Sequence, residues 1–241
     1  MFESVLLVVS VLAGAVAAVT GFGIGSLLTP VLALHVGTKI AVAAVSVPHL
    51  VGTGIRFWLL RSHVDRAVLW RFGLTSAAGG LSGALLHAWA PSTALAVVFG
   101  LLLVFAGTAQ ITGHAQRRRF HGGGAWVAGA ASGLFGGLVG NQGGIRSAAM
   151  LGFDLPKGPF VATATAIALL VDGARMPVYL VADGAQVAAI WQLVALSTVG
   201  VVAGTLAGGR LLAHVPERRF RQVVGTLILL LGIATLIRGR A

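Results

Sequence analysis

The sequence predicts an all-α, polytopic membrane bundle made of two inverted repeats, each containing a broken or re-entrant first segment. Three observations predict it. Of 241 residues, 57% are hydrophobic and 10% charged, with a mean hydropathy of +0.94. Soluble domains average about 25% charged residues, so this surface is too poor in charge to be solvated as a globule. Apolar runs of membrane-crossing length recur between short polar stretches, and the landmarks of the first half return in the second.

Taken in order, the apolar segments lie at 4–19 with a continuation at 27–36, then 40–60, 68–88, 92–113, 124–138 with a continuation at 147–153, 158–181, 186–212 and 217–237. A helix needs about 20 residues to cross a bilayer. Six segments meet that length. The first and fifth are split by TGFGIGSLLTP (20–30) and VGNQGGIRSAA (139–149) into pieces read as too short to span alone. The N-terminal stretch ends in an A-x-A-like sequence, as a signal peptide would, but its start carries Glu3 and no Lys or Arg. It also has a counterpart in the second half, so it is expected to be retained.

The repeat is read from paired landmarks. Shifting the chain by 119 positions matches Gly21 with Gly140, Gly25 with Gly144, Gly54 with Gly173 and Arg56 with Arg175. A shift of 121 matches Trp70 with Trp191 and Ser76 with Ser197; a shift of 125 matches Pro91 with Pro216 and Gly107 with Gly232. Glycine matches are cheap in a chain with 35 glycines, but the Trp pair and the intramembrane Arg pair are not. The expected organisation is a first repeat over 1–113, a basic cytoplasmic linker over 114–123 and a second repeat over 124–241. If the first and fifth segments re-enter rather than cross, RSHVDR, QRRRF and ERRFR all fall on the cytoplasmic side, as positive loops should. HAWAPS (87–92) and the acidic VADGAQ (181–186) then form external connections. Three crossings per half make the repeats inverted, an arrangement common in secondary transporters.

Composition excludes several chemistries. No cysteine is present, and the seven histidines show no HxxxH or HxH spacing, so neither a thiolate nor a His-ligated metal site has a basis. There is no HExxH, GxSxG or P-loop sequence. No cofactor is expected, and the chain is not expected to be an enzyme: one intramembrane carboxylate and dispersed histidines supply no nucleophile–base pair. The net charge of +11 sits mostly in short loops, which points to the lipid bilayer rather than to nucleic acid as partner.

The interruptions carry the functional signal. Polar backbone at membrane depth survives only where it is buried in protein or lines a cavity, so the two broken stretches should meet. Where a helix restarts, its first N–H groups lack partners and carry partial positive charge, which suits anions. Gly21, Gly23 and Gly25 in one stretch and Gly143 and Gly144 in the other would let a ligand approach the backbone. Asn141, Gln142 and Ser147 add side-chain donors. Arg56, Arg146 and Arg175 lie in or beside apolar segments, where each costs at least about 2.5–3.5 kcal/mol near the centre. Only Asp172 offers negative charge deep in a span. The substrate should therefore be a small anion, bound by these residues. Bland readings stand beside this one. The glycines could be helix-packing contacts, Arg56 and Arg175 could snorkel to the interface, and Asp172 and Arg175, three apart, could simply neutralise each other. If that pair instead opens on protonation, Asp172 is the coupling carboxylate of a proton-driven cycle.

At these motifs the chain resembles the TauE/SafE family of sulfite and sulfonate-type anion transporters. The resemblance rests on GFGIGSLLTPVLAL (21–34) and GLVGNQGGIRSAAMLGFDLPKG (137–158), and it covers essentially the whole length. It implies movement of small sulfur-containing or carboxylate anions across a bacterial plasma membrane. Two departures, Ala149 where the first copy has Pro30 and Asn141-Gln142-Gly143 in place of the more regular glycine pattern, make the half-sites unequal. The second should supply most polar contacts. A passive anion channel built from the same residues is the competing reading.

Overall fold

The computed structural model describes residues 1–113, 123–141, 143–211 and 216–238. Among these the chain is all-helical. The first half comprises α1 (Phe2–Thr20), α2 (Ile24–Val36), α3 (Thr38–Leu60), α4 (Arg66–Trp89) and α5 (Ser92–Thr112). The second comprises α6 (Gly123–Val139), α7 (Gly143–Met150), α8 (Lys157–Ala189), α9 (Trp191–Leu211) and α10 (Glu217–Arg238). Five helical stretches among the described residues are long and apolar enough to cross a membrane: Phe2–Thr20, Thr38–His63, Ser92–Thr112, Gly158–Ala189 and Trp191–Gly208.

Two expectations are corrected here. The first piece of the first segment is not too short to span, because α1 begins at Phe2 and nothing interrupts it before Gly21, giving 19 residues. Nor is 181–186 an external loop. Asp183 and Gly184 lie within the 33-residue α8, which ends only at Ala189. At the facing connection His87 is likewise buried in the last turn of α4, and the chain turns at Ala90 and Pro91. The acidic residue that looked like a loop feature is buried beside that histidine, as described below.

Both breaks are made the same way. Gly21 (φ +82) and Gly140 (φ +72) adopt the left-handed conformation that ends a helix without a Cβ penalty. Each returns its N–H to the carbonyl four residues back, Ala17 at 2.9 Å and Gly136 at 3.0 Å. The chain then doubles back. Phe2 at the start of α1 stacks on His35 at the end of α2, with ring centroids 4.4 Å apart. Ala149 and Met150 at the end of α7 share an apolar cluster with Ala128 near the start of α6. Each broken segment is thus a helical hairpin whose ends return to one level.

The hairpins are held by the opposite half. α1 packs on α9, with Ser10 against Gly200, Val11 against Gly204 and Ala15 against Gly208. α6 packs on α4, with Phe72 against Gly129, Ser76 against Gly133 and Gly80 against Gly137. Both pairs run parallel along glycines spaced four apart, which brings backbones close enough for dispersion to replace the absent hydrophobic drive. The pairs α3·α8 and α5·α10 run antiparallel. Along the first, Arg56 meets Thr165, His49 meets Asp172 and Ser46 meets Met176; along the second, Gly100 lies beside Gly232 and Gly107 beside Gly225. Exchanging the two halves therefore maps α1·α9 onto α6·α4 and α3·α9 onto α8·α4, all of them contacts in this fold.

Candidate functional site

The two breaks interlock. A Cβ on Gly25 would collide with the carbonyl oxygen of Gly140, and one on Gly143 would collide with the Phe22 side chain. The hydroxyl of Ser26, in the first turn of α2, donates to Asn141 Oδ1 at 3.1 Å. Both side chains are buried. At Gly25 and Gly143 the close packing is a contact between the two breaks. Gly144 lies in α7, Ser147 on the same helix is half-buried, and Gln142 falls outside the described residues.

Around this junction sit three guanidinium groups, Arg56, Arg146 and Arg175, with relative exposures of 3%, 2% and 1%. None snorkels. Arg56 donates from Nη1 to the carbonyl of Ala17 (2.9 Å), from Nη2 to that of Gly21 (3.3 Å) and from Nε to Thr165 Oγ1 (2.9 Å). Arg175 donates from Nη1 to the carbonyl of Gly136 at 2.7 Å. Ala17 and Gly136 are themselves 119 positions apart, as are Arg56 and Arg175. Each arginine thus ties down the same carbonyl of its own half's broken helix, where a helix C-terminus leaves orphan acceptors and a partial negative charge.

Arg175 has a second role. Its Nε and Nη2 reach Asp172 Oδ1 at 3.0 and 2.8 Å, and the other carboxylate oxygen accepts from His49 Nδ1 at 2.7 Å. Asp172 is fully buried near the middle of α8. The pairing of Asp172 with Arg175 is real, but it is a triad with His49 rather than a pair. Tyr179, one further turn along α8, donates to the carbonyl of Gly137 and lies under the Arg175 guanidinium, 5.7 Å from ring to cation.

Arg146 differs from its two companions. It sits in the middle of α7, and neither its Nε nor its Nη1 has a hydrogen-bond partner. It lies within electrostatic reach of Asp172 and Arg175, as Arg56 does of Arg146 and Asp172. A buried donor without an acceptor costs about 1–3 kcal/mol, more when charged. The hydroxyls of Thr29 and Thr53 are also buried and unpartnered. Among the described residues, three buried arginines share this centre with one buried aspartate, an excess of positive side chains. Among the described residues no group of three or more His, Cys, Asp or Glu could hold a metal ion.

Sequence reasoning missed His49 as a member of this cluster, along with Ser26, Thr165 and Tyr179. One signal was available. Asp172, Arg175, Tyr179 and Asp183 fall at i, i+3, i+7 and i+11, a polar stripe down one face of an otherwise apolar helix.

Apolar helices of spanning length, two crossed hairpins and a buried excess of cations define a multi-pass membrane protein with a polar centre. The chain belongs to the TauE/SafE family: the family described as sulfite exporter TauE/SafE matches residues 6–235, nearly the whole chain. It is a membrane transporter and not an enzyme. No curated protein and no solved structure matches it.

Proposed function

We propose that the protein is a secondary transporter that moves a small anion across the bacterial plasma membrane by alternating access, the anion being sulfite, an organosulfonate or a related sulfur-containing or carboxylate species. The observation that carries this reading is Arg146, a buried guanidinium with two unpartnered nitrogens beside the junction of the two breaks. Arginine's planar fork suits an oxyanion. In this reading Arg146, Asn141, Gln142 and Ser147 bind the anion, and the backbone of Gly143 and Gly144 at the start of α7 adds N–H donors. Gly21, Gly23 and Gly25 contribute the facing wall. Arg175 and Arg56 hold the two breaks and add positive field, with spare N–H groups for the ligand.

Asp172 is the proposed coupling carboxylate. Protonating it would loosen its hold on Arg175 and His49 and free that guanidinium for the substrate, linking anion occupancy to a proton. The antiparallel run of α3 and α8 supports an inverted arrangement of the two repeats, with the basic connections cytoplasmic. The test is sulfite flux into proteoliposomes with and without an imposed pH gradient. Wild type should accumulate sulfite when the gradient is applied, whereas a passive channel would follow voltage and concentration alone. Arg146→Gln should abolish flux while the protein still purifies as a folded species. Undiminished flux in that variant would remove Arg146 from the site.

A further inference from the structure

A second histidine–aspartate contact lies away from this centre. His87, in the last turn of α4, and Asp183, in the second half of α8, are 0% and 3% exposed. Asp183 is eleven residues beyond Asp172, on the same face of α8 and about 16 Å further along it. Both lie at the end of α4 opposite to Arg66 and Arg71.

The tautomer of His87 follows from its neighbours. Its Nδ1 lies 2.8 Å from the carbonyl oxygen of Leu138, an acceptor only, so Nδ1 carries a hydrogen and donates it. The free position is Nε2, which faces Asp183 Oδ2 at 3.4 Å. Neither of these two atoms has any hydrogen-bond partner, and both are buried. With Nδ1 protonated, neutral His87 presents a lone pair at Nε2 to a carboxylate lone pair. Two acceptors face each other with no donor between them. One proton resolves this by turning the imidazole into a cation beside the carboxylate.

The surroundings favour a confined site. Tyr179 of α8 lies against the imidazole, 4.9 Å between ring centroids, and its hydroxyl is committed to the carbonyl of Gly137. Lys39 of α3 is the nearby cation, and its Nζ is occupied by the carbonyls of Ala88 (2.7 Å) and Ala90 (3.4 Å). From α6 the Leu138 carbonyl faces the ring. With Arg175 on Gly136 and Tyr179 on Gly137, His87 completes a row of three successive carbonyls at the broken end of α6.

We infer that His87 and Asp183 form a proton-binding site distinct from Asp172, in which Nε2 of His87 gains and loses a proton against the Asp183 carboxylate while Nδ1 stays bonded to the end of α6. The use of this proton in coupling rests on the transport reading above. The binding of the proton does not, and the two fail separately.

The test is side-chain ¹⁵N NMR of the histidine-labelled full chain in lipid nanodiscs, titrated across about pH 5–8, where histidine changes charge. His87→Gln, which keeps an N–H for Leu138, identifies the His87 signals. One histidine should be an Nδ1–H tautomer at the alkaline end and become reversibly doubly protonated toward the acid end. Asp183→Asn should move that midpoint to lower pH. A His87 that keeps one charge state throughout, or a midpoint unmoved by Asp183→Asn, would overturn the inference whatever the flux assay gives.

Discussion

The triad of Arg175, Asp172 and His49 can be dissected by a double-mutant cycle. Asp172 is fully buried and receives hydrogen bonds at 3.0, 2.8 and 2.7 Å, while three arginines lie within its electrostatic reach. Asp172→Asn keeps the volume but removes the anion. Arg175 is then a buried cation beside Arg146 and Arg56 with nothing to offset it. Removing one partner of a buried ion pair costs about 3–5 kcal/mol, because the survivor stays desolvated and unpaired. Arg175→Met costs a similar amount by leaving Asp172 without its cation and the Gly136 carbonyl without its donor. The double variant removes both charges together, so its loss should fall short of the summed single losses by about 2–3 kcal/mol, the upper part of the range for directly coupled residues. Reversible unfolding of the purified chain in mixed detergent micelles measures all four species. Losses that add to within about 0.5 kcal/mol, as for independent sites, would mean the pair is not an energetic unit.

Two further outcomes follow from the junction of the breaks. Gly25→Ala sets a Cβ on the Gly140 backbone, which has no flexible end to move aside, and should cost about 1–3 kcal/mol; Gly54→Ala, with open space around it in the same half, should instead gain up to about 1 kcal/mol from helix propensity. Equal thermal shifts for the two variants would show that the close approach carries no stability. Asn141→Ala removes both the bond to Ser26 and a donor beside α7, and should weaken the thermal stabilisation by added sulfite roughly tenfold in apparent affinity, the equivalent of about 1.4 kcal/mol.

Much of the architecture was legible because a bilayer punishes ambiguity. Apolar runs had to be helices, the glycine-rich stretches 20–30 and 139–149 had to break two of them, and Arg56 and Arg175 had to be accounted for at membrane depth. What the arginines hold was not legible. Besides Thr165 and Asp172, the partners of Arg56 and Arg175 are main-chain carbonyls, and a carbonyl leaves no mark in a residue string. The same limit hid His49, whose relevance depends on the antiparallel register that brings it to Asp172. Asp183 was misread for a related reason. In sequence, Ala182-Asp183-Gly184 looks like a turn, yet burial beside His87 lets an acidic residue and a glycine continue as helix for two more turns than local preference suggests.

The exchanged packing of α1 on α9 and α6 on α4 has a consequence for how such a molecule is built. Neither five-helix unit encloses its own bent hairpin, since the glycine-lined seat for each is presented by the other unit. One unit synthesised alone would carry a bare seat and a homeless hairpin, and a second copy offering the same seat would be needed to satisfy both. Within the single chain the matched positions of the two breaks differ, with Asn141 and Arg146 in the second where Phe22 and Leu27 stand in the first.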